Sequence, residues 1–182
     1  WKTDNFGASP EFNFQATPVM VDGVLYTTAG NRRTAVAIDA KTGETLWMHR
    51  LDETKRGENA PRKGSGRGVA YGVIEDLARI YYITPGYRLI GLDANTGLPI
   101  PEFGDNGIVD LKRDLDQKLD LVNEGIGASS APILVNGVIV VGAAFGPGGA
   151  PDSAKMISGH VRGYDAVTGK RRWIFHTIPQ SG

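Results

Sequence analysis

Cysteine is absent from the 182 residues, which excludes disulfides and thiolate metal sites but leaves the redox compartment open. Net charge is absent as well, because 20 basic side chains face 20 acidic ones. Phosphate binding needs a basic excess or a basic face, so no nucleic acid is expected as a main partner. No run approaches the roughly 20 apolar residues that cross a bilayer. The longest apolar stretch, Val138 to Phe145, has the length of a strand and is flanked by glycine. There is no signal-peptide pattern, and a chain starting at Trp1 rather than Met reads as mature or truncated. Long helical periodicity is scarce. Glycine is not, with 25 residues, and the remaining composition is that of a soluble globular protein.

One phrase occurs three times: Ala37-Ile38-Asp39-Ala40-Lys41-Thr42-Gly43, Gly91-Leu92-Asp93-Ala94-Asn95-Thr96-Gly97 and Gly163-Tyr164-Asp165-Ala166-Val167-Thr168-Gly169. In each, an Asp after a strand residue can accept backbone N–H groups of the next turn, and Thr-Gly closes that turn. The first and third copies carry a Trp four residues past the glycine, at Trp47 and Trp173, large enough to fill a gap between packed sheets. The second reads Leu98-Pro99-Ile100-Pro101 there. An earlier hairpin precedes each copy. It turns at Asp22-Gly23 and Asn136-Gly137 in the outer units, and more loosely at Glu75-Asp76-Leu77-Ala78 in the middle one. Each unit is therefore four strands.

Repeated four-stranded units predict an all-β fold, a β-propeller of antiparallel blades, of which this chain supplies about three. The phrase spacings, 54 and 72 residues, exceed the ordinary blade length and require insertions. The expected boundaries are about 10–51 for blade one, about 66–101 for blade two, about 102–126 for an insertion and about 127–178 for blade three. Tight turns would share one face. The long polar connections, 29–34, 52–68, 85–86, 102–126 and 146–159, would share the other, which is the candidate functional face.

The Asp-Ala-x-Thr-Gly phrases with their tryptophans resemble the docking motif of quinoprotein dehydrogenases, which depend on pyrroloquinoline quinone (PQQ). Phe14-Gln15-Ala16-Thr17-Pro18, Gly66-Arg67-Gly68-Val69-Ala70-Tyr71, Pro101-Glu102-Phe103-Gly104-Asp105-Asn106-Gly107 and Gly159-His160-Val161-Arg162-Gly163-Tyr164-Asp165 are similar, in order, to the membrane glucose dehydrogenase branch. That resemblance implies an eight-bladed propeller with the quinone on its axis and this chain as its first three blades. It implies oxidation of an alcohol or aldose sugar, a quinone or cytochrome electron acceptor, and a location in the periplasm or on a membrane facing it. The catalytic base would lie in the remaining blades.

The resemblance assigns cofactor binding to Arg67, with Gln15, Thr17, Ser129 and Ser130 as polar partners at the strand starts. A guanidinium fork suits the carboxylates of the quinone. For the polar partners, local backbone hydrogen bonding is the competing reading. Two departures stand out. Where the alcohol-oxidising branch has adjacent cysteines, this chain has Lys63-Gly64-Ser65-Gly66. Where that branch has a calcium-ligating Glu, this chain has Gly142-Ala143-Ala144-Phe145, so calcium remains possible without a ligand visible here. Asp39, Asp93 and Asp165 read as turn residues, and Lys55, Arg56, Arg62 and Lys63 as a flexible charged loop. His49, His160 and His176 are scattered, and no nucleophile elbow or phosphate loop is present. The alternative is a non-catalytic quinoprotein-like propeller, an interaction scaffold of the outer-membrane assembly lipoprotein type.

Overall fold

A computed structural model describes residues 15–30, 32–64, 66–145 and 157–177. In it, the repeat becomes three sheets, each of four strands in sequential antiparallel order. The first holds β1 (Val19–Val21), β2 (Val24–Ala29), β3 (Thr34–Asp39) and β4 (Thr45–His49). A short helix, α1 (Thr54–Glu58), lies in the link to the second, which holds β5 (Ala70–Ile74), β6 (Leu77–Ile83), β7 (Arg88–Asp93) and β8 (Ile108–Asp110). The third holds β9 (Ile133–Val135), β10 (Val138–Val141), β11 (His160–Asp165) and β12 (Arg171–His176). The glycine-rich stretch 146–156, the expected start of blade one before residue 15 and its counterpart end at 178 lie outside the described residues.

The turns follow their chemistry. Asp22-Gly23 has φ of 47° and 79°, and Asn136-Gly137 has 48° and 72°. Positive φ at both central residues suits the right-handed strand twist. The middle hairpin is not looser than these. Ile74 pairs directly with Leu77, and Glu75 and Asp76 take φ of 50° and 62°. Two residues without glycine accept the same geometry because register leaves room for no others. After the third strand of each sheet, Oδ1 of Asp39 accepts the N–H groups of Lys41 and Thr42 at 2.9 and 2.7 Å. Asp93 and Asp165 repeat this.

The fourth strand of the second sheet departs from the sequence reading, which ends that blade near residue 101. Two prolines in residues 98–101 cannot donate to a ladder. The chain makes one bridge, Leu92 to Pro99, loops outward and returns as β8, inside the stretch read as an insertion. Residues 102–107 thus belong to the β7–β8 connection on the turn face, and only the part after β8 belongs to the loop face.

Side chains alternate across the middle sheet with the period of two that strands impose. Ile80, Tyr82, Ile90 and Leu92 pack towards the first sheet, with Tyr26, Ala35 and Ala37. Tyr81, Ile83 and Leu89 pack towards the third, with Ile139, Val141 and Tyr164. At the first junction the indole Nε1 of Trp47 donates to the carbonyl of Ala94 at 2.8 Å, and its ring covers Gly97. At the second junction the missing tryptophan is replaced. Phe103 covers Gly91 as Trp173 covers Gly163, and the equivalent carbonyl, Ala166, accepts from Tyr81 Oη at 2.6 Å and Arg79 Nη1 at 3.1 Å.

Candidate functional site

The first strand of each sheet is entered through a short polar segment: residues 15–18, 66–69 and 127–132. These three segments meet. The N–H of Thr17 donates to the carbonyl of Arg67 at 2.9 Å, and Thr17 pairs in parallel with Gly68. An ideal Cβ on Gly68 would lie 2.4 Å from the Thr17 carbonyl oxygen, so only glycine permits this approach. Arg67 Nε then donates to the carbonyl of Ser129 at 3.1 Å. Arg67 therefore joins the entries of all three sheets, and its side chain is exposed. The described contacts join Thr17, Arg67 and Ser129. Gln15 and Ser130, also exposed, are carried alongside by their neighbours in sequence.

Buried cations hold the loops that present these segments. Arg33, only 4% exposed, donates from Nε to the Gly64 carbonyl at 3.2 Å. Its Nη1 donates to the carbonyls of Ile83 and Ala128 at 3.0 and 3.1 Å, and its Nη2 to that of Arg62 at 2.8 Å. Lys112 Nζ donates to the carbonyls of Leu121 and Glu124 at 3.2 and 2.8 Å, fixing the loop that leads to Ser129. Burial, and then the charge of Arg56, hold the Lys112 ammonium below its ordinary pKa. Arg162 anchors the start of the same loop through the carbonyls of Leu111 and Asp114 at 2.8 and 2.9 Å.

The basic run is accordingly not one flexible charged loop. Arg56 is buried, with Nε on the Gly86 carbonyl at 2.7 Å and a two-point grip on the Asp110 carboxylate. Burial alone would raise the Asp110 carboxyl, but the Arg56 fork more than offsets this and holds it below the usual carboxylate range. Arg62 donates to the Phe145 carbonyl at 2.8 Å. Lys55 and Lys63 are exposed, as expected. Glu53, also buried, accepts from Thr84 Oγ1, the Gly86 N–H and Arg88 Nη1 at 2.8, 2.6 and 2.8 Å. Sequence reasoning missed these residues because their partners are backbone carbonyls or ions far along the chain. Arg33 shows only one local signal, a positive φ of 52° in the β2–β3 connection.

His160 and His176, scattered in sequence, face each other across β11 and β12 with ring centroids 4.5 Å apart. Among the described residues, no three His, Cys, Asp or Glu side chains are grouped to hold a metal. A cavity of about 240 Å³, lined by Arg32, Asp52, Glu53, Glu58 and Lys63 among others, includes none of the five candidate residues. No helix among the described residues is long and apolar enough to cross a membrane.

The family model described as "PQQ: Glucose/ethanol/alcohol dehydrogenase, beta-propeller domain" matches residues 1–182. The quinohemoprotein alcohol dehydrogenase ADH-IIG of Pseudomonas putida is 33% identical over 167 residues, covering 91% of this chain and 20% of that protein. The glycerol dehydrogenase large subunit of Gluconobacter oxydans is 32% identical over 177 residues, covering 93% of this chain and 22% of its own length. The solved structure of the alcohol dehydrogenase ADHIIG from Pseudomonas putida superposes with a TM-score of 0.67 at 30% identity, over 91% of this chain and 21% of that one. A europium-containing methanol dehydrogenase, at 21% identity and a TM-score of 0.64, shares the fold. The chain spans about a fifth of the length of the curated relatives it matches. With three propeller blades, a tryptophan docked on the turn of the second and this family match, the chain belongs to the PQQ-type glucose/ethanol/alcohol dehydrogenase β-propeller family.

Proposed function

We propose that this chain supplies cofactor-binding and structural blades to a PQQ-dependent dehydrogenase that oxidises an alcohol or sugar hydroxyl. The observation that carries the reading is the meeting of Thr17, Arg67 and Ser129 at the entries of the first strands of the three sheets. The chemistry of the donor set suits the group: PQQ presents three carboxylates and quinone oxygens, and the exposed Arg67 belongs to segments that also carry hydroxyl and amide side chains. When bound, PQQ accepts the two electrons removed from the hydroxyl-bearing carbon. Arg67 would pair with a carboxylate and orient the ring system. Hydroxyls of Thr17, Ser129 and Ser130 and the Gln15 amide would donate to the remaining oxygens. The β2–β3, β4–β5 and β8–β9 connections would wall the site and limit water.

The names of the matching relatives, alcohol and glycerol dehydrogenases, favour a small alcohol or polyol, with an aldose as the wider possibility that the glucose-branch motifs raise. A quinone or cytochrome as electron acceptor and a periplasmic setting follow from the same reading. The test is titration of PQQ, with and without calcium, into the full-length protein and its Arg67→Ala variant. Wild-type protein should bind saturably and gain alcohol- or polyol-dependent dye reduction. Losing one charge-assisted pair should weaken binding at least tenfold, about 1.4 kcal/mol. Equal affinity in the two proteins would sink the assignment of Arg67.

A further inference from the structure

We propose that Arg33 is the positioning residue of this site, setting the spacing between the segment that delivers Arg67 and the one that delivers Ser129. The inference rests on the cofactor reading above. Arg33 springs from the β2–β3 connection of the first sheet, and its four described acceptors belong to elements of different origin. Arg62 and Gly64 precede Arg67 in the link between the first two sheets. Ile83 ends β6 of the second sheet. Ala128 immediately precedes Ser129. One planar group therefore ties three blades together through backbone close in sequence to both Arg67 and Ser129, and it is itself only 4% exposed.

Gly66 shows that the fit is mutual. An ideal Cβ at this position would lie 2.6 Å from Arg33 Nε, and the backbone here has a φ of +77°. The residue next to Arg67 is thus packed on the Arg33 guanidinium and has no room for a side chain. Lysine could not replace Arg33. Its three donors radiate from one nitrogen, whereas the four carbonyls are spread along the edge of a fork.

The experiment uses the full-length protein with Arg33→Lys, Gly66→Ala and Arg67→Ala. PQQ is titrated into each by quinone absorbance, and hydrogen–deuterium exchange is followed in the unloaded proteins. Arg33→Lys should weaken PQQ binding tenfold or more and speed exchange in residues 62–68 and 127–130, while β6 and β7 exchange as in wild type. Gly66→Ala keeps the guanidinium but displaces it, so it should reproduce both effects and decides the matter if Arg33→Lys fails to fold. Arg67→Ala should weaken binding without loosening 62–64, and adding Arg33→Lys to it should change affinity less than twofold. Affinity within twofold of wild type in Arg33→Lys, or faster exchange spread evenly over all three sheets, overturns the proposal. Wild-type affinity in Arg67→Ala sinks the cofactor reading instead. The two failures differ, because loosened 62–68 segments in the Arg33 variant would still support its hold on the backbone.

Discussion

Trp47 can lie on the second blade because residue 97 is glycine. A Cβ there would sit 2.5 Å from the indole Cδ2, and φ is +71°. Gly97→Ala should therefore cost about 1–3 kcal/mol through overpacking and left-handed strain, measured by denaturant titration. Trp47→Phe should cost a comparable amount, since a smaller ring leaves a gap and strands the Ala94 carbonyl. These residues were legible in the sequence because their chemistry is local and repeats. The buried cations were not. Arg33, Arg56, Lys112 and Arg162 look like any surface charge until the fold brings carbonyls or a carboxylate to them. Of the candidate site, Arg67 was proposed from the sequence through its resemblance alone. Its contact with Ser129 joins residues 62 positions apart and has no local signature.

At the scale of the element, turns decide most of what was read correctly and what was not. The Asp-Gly and Asn-Gly hairpins announced themselves, whereas Glu75-Asp76 makes an equally tight turn without the glycine that marks the other two. Asp76→Gly should relieve that conformation and raise stability by about 0.5–1 kcal/mol in a thermal melt. β8 was hidden by the two prolines that push the chain off the sheet before Ile108. The phrase turns also predict acid sensitivity. Burial alone would raise Asp165, but the Thr168 N–H and the Arg172 guanidinium more than offset it and lower its pKa from the ordinary 3.8 to about 2. A carboxylate with a depressed folded pKa stabilises fully above its unfolded value and loses that contribution as pH falls towards the folded one. The thermal midpoint should thus decline between about pH 4 and pH 2, and the decline should be shallower in Asp165→Asn. Equal slopes would remove this turn from the account.

For the whole molecule, the decisive feature is that the sheets do not close on one another. Side chains alternating with the first junction leave Met20, Leu46 and Met48 exposed on the first sheet. On the third, Ile133, Val135, Trp173 and Phe175 are exposed, Trp173 to 40%. Apolar patches of this kind drive association. The 182-residue chain alone should form concentration-dependent oligomers by light scattering, and the double change Trp173→Ser, Phe175→Ser should reduce them. A clean monomer at high concentration would show that these faces do not need further blades. Propeller repetition was legible at this scale because each blade restates one pattern. How neighbouring blades grip each other was not.

The difference between the two grips has a consequence for how such a ring assembles. All three turns carry the same Asp-Ala-x-Thr-Gly phrase, yet an indole docks on the one in blade two. The backbone of Gly104, the Val109 side chain, the Tyr81 hydroxyl and Arg79 dock on the one in blade three. Each junction is keyed. A nascent chain that paired blade one with blade three would press a tryptophan into a socket cut for a loop, and would leave the Ala94 carbonyl without its indole donor. Near-identical repeats ordinarily invite misassembly between the wrong neighbours. Here the uneven locks make blade order part of what the sequence specifies.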